Sequence, residues 1–417
     1  MINTISILII ILFLFQLTYQ TTYNTLGIKK IDAVILTTGK DLRTFEIGIE
    51  SALNHLIDVN RYWIITTHKE QLEKFCKDKF KSYYNDRFRI VDEAVFPFNW
   101  QNISTIMFDT IAEIGIYPLN QGKTMVEKTI YSKTGWHLQQ LLKFYAGPIL
   151  GLEDYVIFDS DIIWFKNTSF IAGKNETTNN TAYYYASSNQ YHPSYISTTN
   201  RISNTGMFNG NVWRSGVCHH LVIKKSVLDN LFERGSASHN GLPFWQVMLN
   251  ESARELSCRA PRQNICGGGS TLSEYEIYFN FARVHHPDTI VLRPLLWANG
   301  PSPGLMFWPP ADTLTSDGPK HVWMGHRQQD IPKAFELQIT ADRLQGYDFI
   351  AYHAYAKRRY FELVGPDMDE LCKSVEAPSN STCSWRGIDE APPDKKRDPV
   401  EYFKGCACYM AFHPSGP

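Results

Sequence analysis

The sequence lacks a surplus of basic residues, and this restricts the partners it can bind. Lys and Arg number 41 against 42 Asp and Glu, which gives a formal net charge of −1 at pH 7. A domain that binds nucleic acid usually carries a basic surplus or a basic stripe, because it must neutralise phosphate groups. The short basic run Lys395–Arg397 is better explained as a solvated tail. We therefore expect no nucleic-acid partner.

Long apolar runs are also missing, apart from one near the N-terminus. Residues Ile5 to Leu17 are apolar except for Ser6 and Gln16. Thirteen residues in a helix span about 20 Å, short of the roughly 30 Å hydrocarbon core of a bilayer. We interpret residues 1–20 as a signal peptide, with a signal anchor as the alternative, although no Lys or Arg precedes the run. No later segment is apolar for long enough to span a membrane.

Glycosylation sequons and cysteines both agree with export. N-glycans are added on the lumenal side, and the sequon asparagines are Asn102, Asn167, Asn175, Asn179, Asn250 and Asn380. The eight cysteines, an even number, fit an oxidising compartment, with the disulfide connectivity left open. A zinc site in the tail is disfavoured, because one residue separates Cys406 from Cys408. We expect the lumen of the secretory pathway (Golgi or ER), or secretion.

Strand-like and helix-like segments alternate along the chain. Apolar runs with β-branched residues predict strands, and apolar residues at helical spacing predict helices between them. The predicted strands are Ile31–Leu36, Tyr62–Thr66, Phe88–Val95 and Val217–Lys224, and the predicted helices run to Leu56 and over Gln71–Tyr83, Lys133–Ala146, Lys225–Phe232 and Phe244–Leu256. Gly147 and Pro148 are expected to end the helix over Lys133–Ala146. The alternation predicts an α/β fold with a mainly parallel central sheet flanked by helices.

Composition divides the rest of the chain into regions. We expect one large domain over residues 28–365, without internal repeats. From Asn167 to Asn211 the sequence shifts to Asn, Ser, Thr, Tyr and Gly, which predicts a glycosylated surface insertion over residues 167–211. Residues 366–417 form a Cys- and Pro-rich C-terminal tail.

Two carboxylates interrupt the apolar segment Asp154–Phe165, whose sequence is DYVIFDSDIIWF. In a strand, residues two apart point to the same side, so Asp159 and Asp161 would project together while Ser160 faces away. A hard divalent cation, Mn²⁺ or Mg²⁺, would relieve the desolvation of the pair and still leave positions for phosphate oxygens. The alternative is that the strand ends at Phe158 and both aspartates are solvated loop residues or helix caps.

The order of the other motifs supports the cation-binding interpretation. The chain contains, in sequence, the loop Thr37–Asp41, a helix with Lys143, FDSD, Arg214–Val217, Gly267–Gly269, Ser273–Glu276 and Tyr352–His353. This order resembles the GT-A class of glycosyltransferases, especially its glycogenin-like retaining branch and an uncharacterised DxD-bearing family of bacteria and eukaryotes. The resemblance covers roughly residues 30 to 360 and is most specific from Lys143 to Asp161. It implies a GT-A-like fold, a nucleotide-sugar donor with UDP favoured, and a glycan or glycoprotein acceptor.

The resemblance implies a donor and metal site at matching residues. Asp161 would be the firmer metal ligand, and Asp159 would contact both the metal and the donor ribose, with Ser160 counted in the donor site. Lys143 matches a lysine directed at the donor; an exposed helix residue is the alternative. The loop residues Thr37, Thr38 and Gly39 would approach the nucleotide base, because ligands bind at the strand ends of open α/β sheets.

Two further assignments depend on later motifs. His353 matches a third metal ligand, but Ala354 to Lys357 follow it where relatives have glycine and Lys-Pro-Trp, so a core histidine and His326 remain alternatives. Glu274 would be the catalytic carboxylate near the reacting sugar carbon, with a surface helix as the alternative for Glu274 and Glu276. His219 and His220 would face opposite ways in a strand, which leaves one for the site.

Two other functions compete with sugar transfer. A non-catalytic secreted sugar-binding protein could retain the fold, since fold alone does not establish activity. The intact carboxylate pair argues against this function. A metal-dependent phosphohydrolase would normally show more His and Asp residues clustered for two ions.

Overall fold

A computed structural model describes residues 29–114, 123–188, 192–203, 215–259, 270–301, 346–353 and 360–364, together with positions 339 and 343. The predicted signal segment, the C-terminal tail with its cysteines, and His326 lie outside the described residues. Cys76 is a buried free thiol, and Cys218 is buried as well. None of the helices in these ranges combines the length and hydrophobicity needed to cross a bilayer.

Strands and helices alternate over residues 31–150 as the sequence predicts, whereas four strands follow one another over residues 154–185. The strands are β1 (Ile31–Leu36), β2 (Val59–Thr66), β3 (Phe88–Asp92), β4 (Asp154–Asp159), β5 (Ile162–Trp164), β6 (Ile171–Lys174), β7 (Thr181–Tyr185), β8 (His220–Lys224), β9 (Ile290–Leu292), β10 (Leu295–Pro301), β11 (Phe349–His353) and β12 (Tyr360–Val364). The helices are α1 (Leu42–His55), α2 (Lys69–Lys79), α3 (Tyr84–Arg87), α4 (Trp100–Ile114), α5 (Lys123–Leu150), α6 (Pro193–Ser203), α7 (Lys225–Ala237), α8 (Phe244–Arg259) and α9 (Glu274–His285).

The central sheet has five strands in the order β3-β2-β1-β4-β8. Its first four strands are parallel and β8 is antiparallel to β4, so the prediction of a mainly parallel sheet flanked by helices is confirmed. The apolar residues of β1 and β4 are almost all buried, as expected for strands covered on both faces. In the β1–β4 register, Leu36 lies opposite Asp159, which aligns the carboxyl ends of the two strands.

The segment predicted as one strand over Asp154–Phe165 is two strands in different sheets. The chain turns at Ser160 and Asp161, and β5 pairs with β11 in a second sheet of order β12-β10-β11-β5. The prediction that both aspartates project from one strand is therefore wrong. The turn brings both carboxylates to the edge of the sheet, where neither has to be buried within an apolar strand.

Helix α1 packs directly against this turn at Gly48. A Cβ atom added to Gly48 would lie 2.9 Å from the carbonyl oxygen of Ile162 and 3.0 Å from that of Ser160. Only a residue without a side chain permits so close an approach. The Ser51 hydroxyl, one turn further along α1, accepts a hydrogen bond of 2.9 Å from the Trp164 N–H. The turn is thus held in place by α1 on one side and by β4 on the other.

The segment 167–211 is not all surface. Phe170, Tyr183 and Tyr185 are buried in the core, and most residues of α6 are buried as well. Strand β7 joins a third sheet of order β6-β7-β9. The stretch 176–180 is exposed, but β7 and α6 are largely buried, and α6 buries Ser194, Thr198 and Thr199, so polar composition alone does not make a segment part of the surface.

Candidate active site

The candidate site lies where β1, β2 and β4 end. Because Leu36 pairs with Asp159, the Thr37–Gly39 loop begins beside the turn at Ser160 and Asp161. The Gly39 N–H points towards Nδ1 of His68, at the end of β2, over 3.5 Å. The carboxyl edge of a parallel sheet is where open α/β proteins bind ligands. The structure therefore brings the predicted base-binding loop and the predicted carboxylates together.

Asp159 is held by three side chains. Its Oδ1 accepts hydrogen bonds from Nζ of Lys143 at 2.6 Å and from the hydroxyl of Tyr275 at 2.9 Å. Its Oδ2 lies 3.1 Å from Nδ1 of His219. Two donors use both lone pairs of Oδ1, whereas Oδ2 keeps one. The side chain is 25% exposed and therefore accessible to a ligand. Because Oδ1 is fully used, a cation or a ribose hydroxyl would have to bind Asp159 through Oδ2.

Lys143 is buried at the centre of this network, so the alternative of an exposed helix residue is wrong. Its Nζ lies 2.6 Å from Oε1 of Glu274 as well as 2.6 Å from Asp159, and 3.2 Å from the Tyr275 hydroxyl. Burial lowers the pKa of Lys143, but the two carboxylates outweigh that effect and hold the pKa above its ordinary value. All three ammonium hydrogens have partners within the protein. The proposed contact of Lys143 with a donor remains a prediction.

Contacts between the C-terminal end of α5 and β4 fix the position of Lys143. The helix continues through Gly147 and Pro148 to Leu150, so the prediction that it ends before them is wrong. Pro148 cannot donate to the carbonyl of Phe144, but the hydroxyl of Tyr155 lies 2.9 Å from that oxygen and supplies the missing donor. The same hydroxyl lies 3.0 Å from the carbonyl oxygen of Lys143.

Gly147 makes room for this contact. A Cβ atom added to it would lie 2.7 Å from Cε1 of Tyr155. Tyr155 belongs to β4, four residues before Asp159. Gly147 and Pro148, which were expected to end the helix, instead lie where α5 packs against β4, the strand that carries Asp159.

Glu274 begins α9 and is buried beneath Lys143. Its side chain is 1% exposed, and its backbone N–H donates to Oε1 of Gln140 at 3.0 Å. Its Oε2 has no hydrogen-bond partner within the described part of the chain. Burial raises the pKa of Glu274, and Lys143 opposes that shift. The alternative of a surface helix is wrong, and the catalytic role of Glu274 remains a prediction.

Glu276 points away from Glu274, as expected for residues two apart in a helix. Its Oε2 accepts from the Ser215 hydroxyl at 2.6 Å and from the Gly216 N–H at 3.0 Å, and its Oε1 accepts from Asn280 at 3.1 Å. Burial raises the pKa of Glu276 to about 7, against the effect of these hydrogen bonds. The carboxylate of Glu276 thus links α9 to Ser215 and Gly216, which precede β8. None of its described hydrogen bonds involves Lys143 or Asp159.

This pKa predicts a stability that depends on pH. Below the ordinary pKa of 4.5 Glu276 is protonated in both the folded and the unfolded state, whereas above 7 folding requires a buried carboxylate. The free energy of unfolding should therefore fall as pH rises between these values, by about 3 kcal/mol from this residue. Glu276→Gln should remove that part of the pH dependence in urea unfolding at pH 5 and pH 8. The exposed Glu233→Gln serves as control, and parallel pH profiles for wild type and Glu276→Gln would contradict the prediction.

The end of β11 lies beside Asp161. The carbonyl oxygen of Asp161 accepts from the Tyr352 N–H at 2.9 Å, and His353 is the next and last residue of the strand. The side chain of His353 lies outside the described residues, so its role as metal ligand remains a prediction. Among described side chains, no three His, Cys, Asp or Glu residues gather into a preformed metal site.

Sequence reasoning did not identify Tyr275 as a partner of Asp159, and it left open which of two histidines faces the site. The structure selects His219, since His220 is buried against Trp164 and Phe349. Nothing in the sequence around Tyr275 predicts a hydrogen bond to Asp159. Its place directly after Glu274 was the one available indication.

These features define an α/β protein with one aspartate at the end of β4 and a second in the turn that follows, at the carboxyl edge of a mainly parallel sheet. The chain belongs to a family of unknown function, DUF6492, whose sequence profile matches residues 28–290. No curated protein matches it. Among solved structures, the apo structure of the bifunctional glycosyltransferase WbbM is similar, with a TM-score of 0.31 and 8% sequence identity. The alignment covers 79% of this chain and 46% of that chain, so this chain spans less than half the length of that protein.

Proposed function

We propose that the protein is a metal-dependent glycosyltransferase. It would move a sugar from a nucleotide-diphosphate sugar, with UDP-sugar favoured, to a hydroxyl of a glycan or protein acceptor. One observation supports this most directly. The Leu36–Asp159 pairing puts the Thr37–Gly39 loop next to Asp159–Asp161, which we call the carboxylate turn, at the edge where α/β sheets bind nucleotides.

The carboxylate turn fits a hard divalent cation. Oδ2 of Asp159 has an acceptor position left, Asp161 follows two residues later in the same turn, and oxygen is the ligand that Mn²⁺ and Mg²⁺ prefer. Asp161 and Asp159 would hold the ion, with His353 as the proposed third ligand. When bound, the ion supplies charge stabilisation for the departing diphosphate.

The protein's own groups would orient the donor. Thr37, Thr38 and Gly39 would approach the nucleotide base, and the buried hydroxyl of Thr37 has no hydrogen-bond partner among the described residues. The hydroxyl of Thr38 donates to Asp41 at 3.0 Å, which fixes the loop. Lys143 would stabilise negative charge next to Asp159, and Glu274 would act on the developing charge through its position behind Lys143.

A donor screen tests this function. The protein is incubated with a panel of nucleotide sugars and Mn²⁺, and the release of nucleoside diphosphate and of sugar is followed by mass spectrometry. We expect turnover of one donor, abolished by EDTA and restored by excess Mn²⁺. Binding of free sugars without binding of any nucleotide sugar would instead identify a sugar-binding protein. Phosphate release from phosphoesters without sugar transfer would identify a phosphohydrolase.

We propose the secretory lumen as the place of action. The sequon asparagines Asn102, Asn167 and Asn179 are exposed, so the fold leaves room for glycans there. Mass spectrometry of protein from its native cells should find glycans at these positions and a mature N-terminus near Thr21. Unmodified sequons together with eight free thiols would place the protein in the cytosol.

A further inference from the structure

His219 adopts an unusual backbone conformation at the site. Its φ is +61°, in the left-handed region that side chains rarely adopt. The other described non-glycine residues with positive φ, Asn179 and Asn240, are exposed asparagines, a residue type that tolerates this region in turns. His219 is buried and lies directly before β8. Strain of this kind persists where the surrounding structure enforces it, most often at functional sites.

The left-handed conformation lets His219 contact Asp159 twice. Its carbonyl oxygen accepts from the Asp159 N–H at 3.0 Å, and its Nδ1 lies 3.1 Å from Oδ2 of the same residue. An ionised carboxylate can only accept, so Nδ1 carries the hydrogen. The backbone and the side chain of one residue thus fix both the main chain and the carboxylate of Asp159.

The His219 ring is itself held from the other side. It packs edge-on against Trp297 with ring centroids 5.2 Å apart, and Trp297 stacks on Phe349 at 5.4 Å. Both aromatic residues are buried and belong to the second sheet, in which β11 ends at His353. The ring therefore lies between the two sheets that meet at the carboxylate turn.

We infer that His219 is a positioning residue that fixes Oδ2 of Asp159 for the incoming ligand, and that its strained backbone is retained for this purpose. The inference rests on the proposed function. Lys143 and Tyr275 both bind Oδ1, and among the described contacts His219 is the side chain that binds Oδ2. Groups that orient a metal ligand in this way typically change metal affinity or activity by 10- to 100-fold when removed.

Four substitutions separate positioning from a purely structural role. His219→Gly removes the ring and relieves the backbone, while His219→Ala removes the ring and keeps the strain. His219→Asn places an amide nitrogen where Nδ1 was and tolerates a positive φ, whereas His219→Gln places its amide near the position of Nε2. The readouts are the melting temperature, the Kd for Mn²⁺ and for the donor by calorimetry, and kcat and KM.

We expect His219→Gly to melt no lower than His219→Ala, yet both to bind Mn²⁺ and donor roughly tenfold or more weakly than wild type. His219→Asn should restore affinity to within about threefold of wild type, and His219→Gln should not. Wild-type affinity in His219→Gly, or an asparagine variant as weak as the glycine variant, would overturn the inference while leaving the proposed function intact. A wild-type protein that binds no nucleotide sugar would overturn both.

Discussion

Replacing Lys143 by methionine is expected to lower the free energy of unfolding by about 3–5 kcal/mol. The substitution keeps the volume of the side chain but removes the ammonium group shared by Asp159 and Glu274. Two buried carboxyl groups then lose their common partner, and desolvation of a charge without compensation is costly. Urea unfolding at pH 7 measures the loss as a change in midpoint at constant slope.

Two further variants show whether the loss comes from the ion pairs. Lys133→Met changes another lysine of α5, whose Nζ lies 3.3 Å from the Ser270 hydroxyl and has no carboxylate partner among its described contacts. It should cost less than about 1 kcal/mol, as for a neutral hydrogen bond. Adding Glu274→Gln to Lys143→Met should cost less than the sum of the two single changes, by about 1 kcal/mol or more. Equal stability of the two methionine variants would show that the buried pairs do not stabilise the fold.

Asp161→Asn is expected to reduce the proposed sugar transfer by at least about a hundredfold and to leave the melting temperature nearly unchanged. The amide has the shape of the carboxylate, so no cavity forms, but the charge that would hold a divalent cation is lost. Because Oδ1 of Asp159 is already occupied by Lys143 and Tyr275, Asp159 has little capacity to substitute for it. Turnover at several Mn²⁺ concentrations and the Kd for Mn²⁺ measure the effect.

The control for Asp161→Asn is a charge-matched change elsewhere. Asp229→Asn removes a half-exposed carboxylate of α7 that pairs with Lys225. It should leave turnover and Mn²⁺ affinity at wild-type values. Full turnover by Asp161→Asn in the presence of EDTA would remove the basis for a metal at this turn.

Local pattern is enough to predict most of the central sheet. The apolar run Ile31–Leu36 is confirmed as β1, and the helix predicted after it ends at His55, one residue before the predicted end. Strand β2 begins at Val59, three residues earlier than predicted. The polar Asn60 interrupts the apolar pattern, but its amide donates a hydrogen bond of 3.3 Å to Asp32 on the neighbouring strand. Such boundaries depend on neighbouring strands, which a single segment does not reveal.

The site is less predictable, because its chemistry depends on contacts distant in sequence. The pattern around Glu274 fits a surface helix equally well, and its burial follows from an ion pair with Lys143, 131 residues away. Asp159, Ser160 and Asp161 are residue types that favour turns, but they also fit a carboxylate pair on a strand, so the local sequence does not decide between a continuous strand and a break. Gly48 gives none either, since its role depends on the carbonyl groups it approaches.

The pairing of Leu36 with Asp159 also bears on the motions available to the site. Strands β1 and β4 are neighbours within the five-stranded sheet, and opening either one would expose the core. Amide hydrogens in such strands exchange with solvent only when the whole unit unfolds. The carboxyl ends of β1 and β4 therefore keep their relative positions while the sheet is folded. If the protein binds a nucleotide sugar as proposed, any movement that closes over that ligand has to come from other parts of the chain.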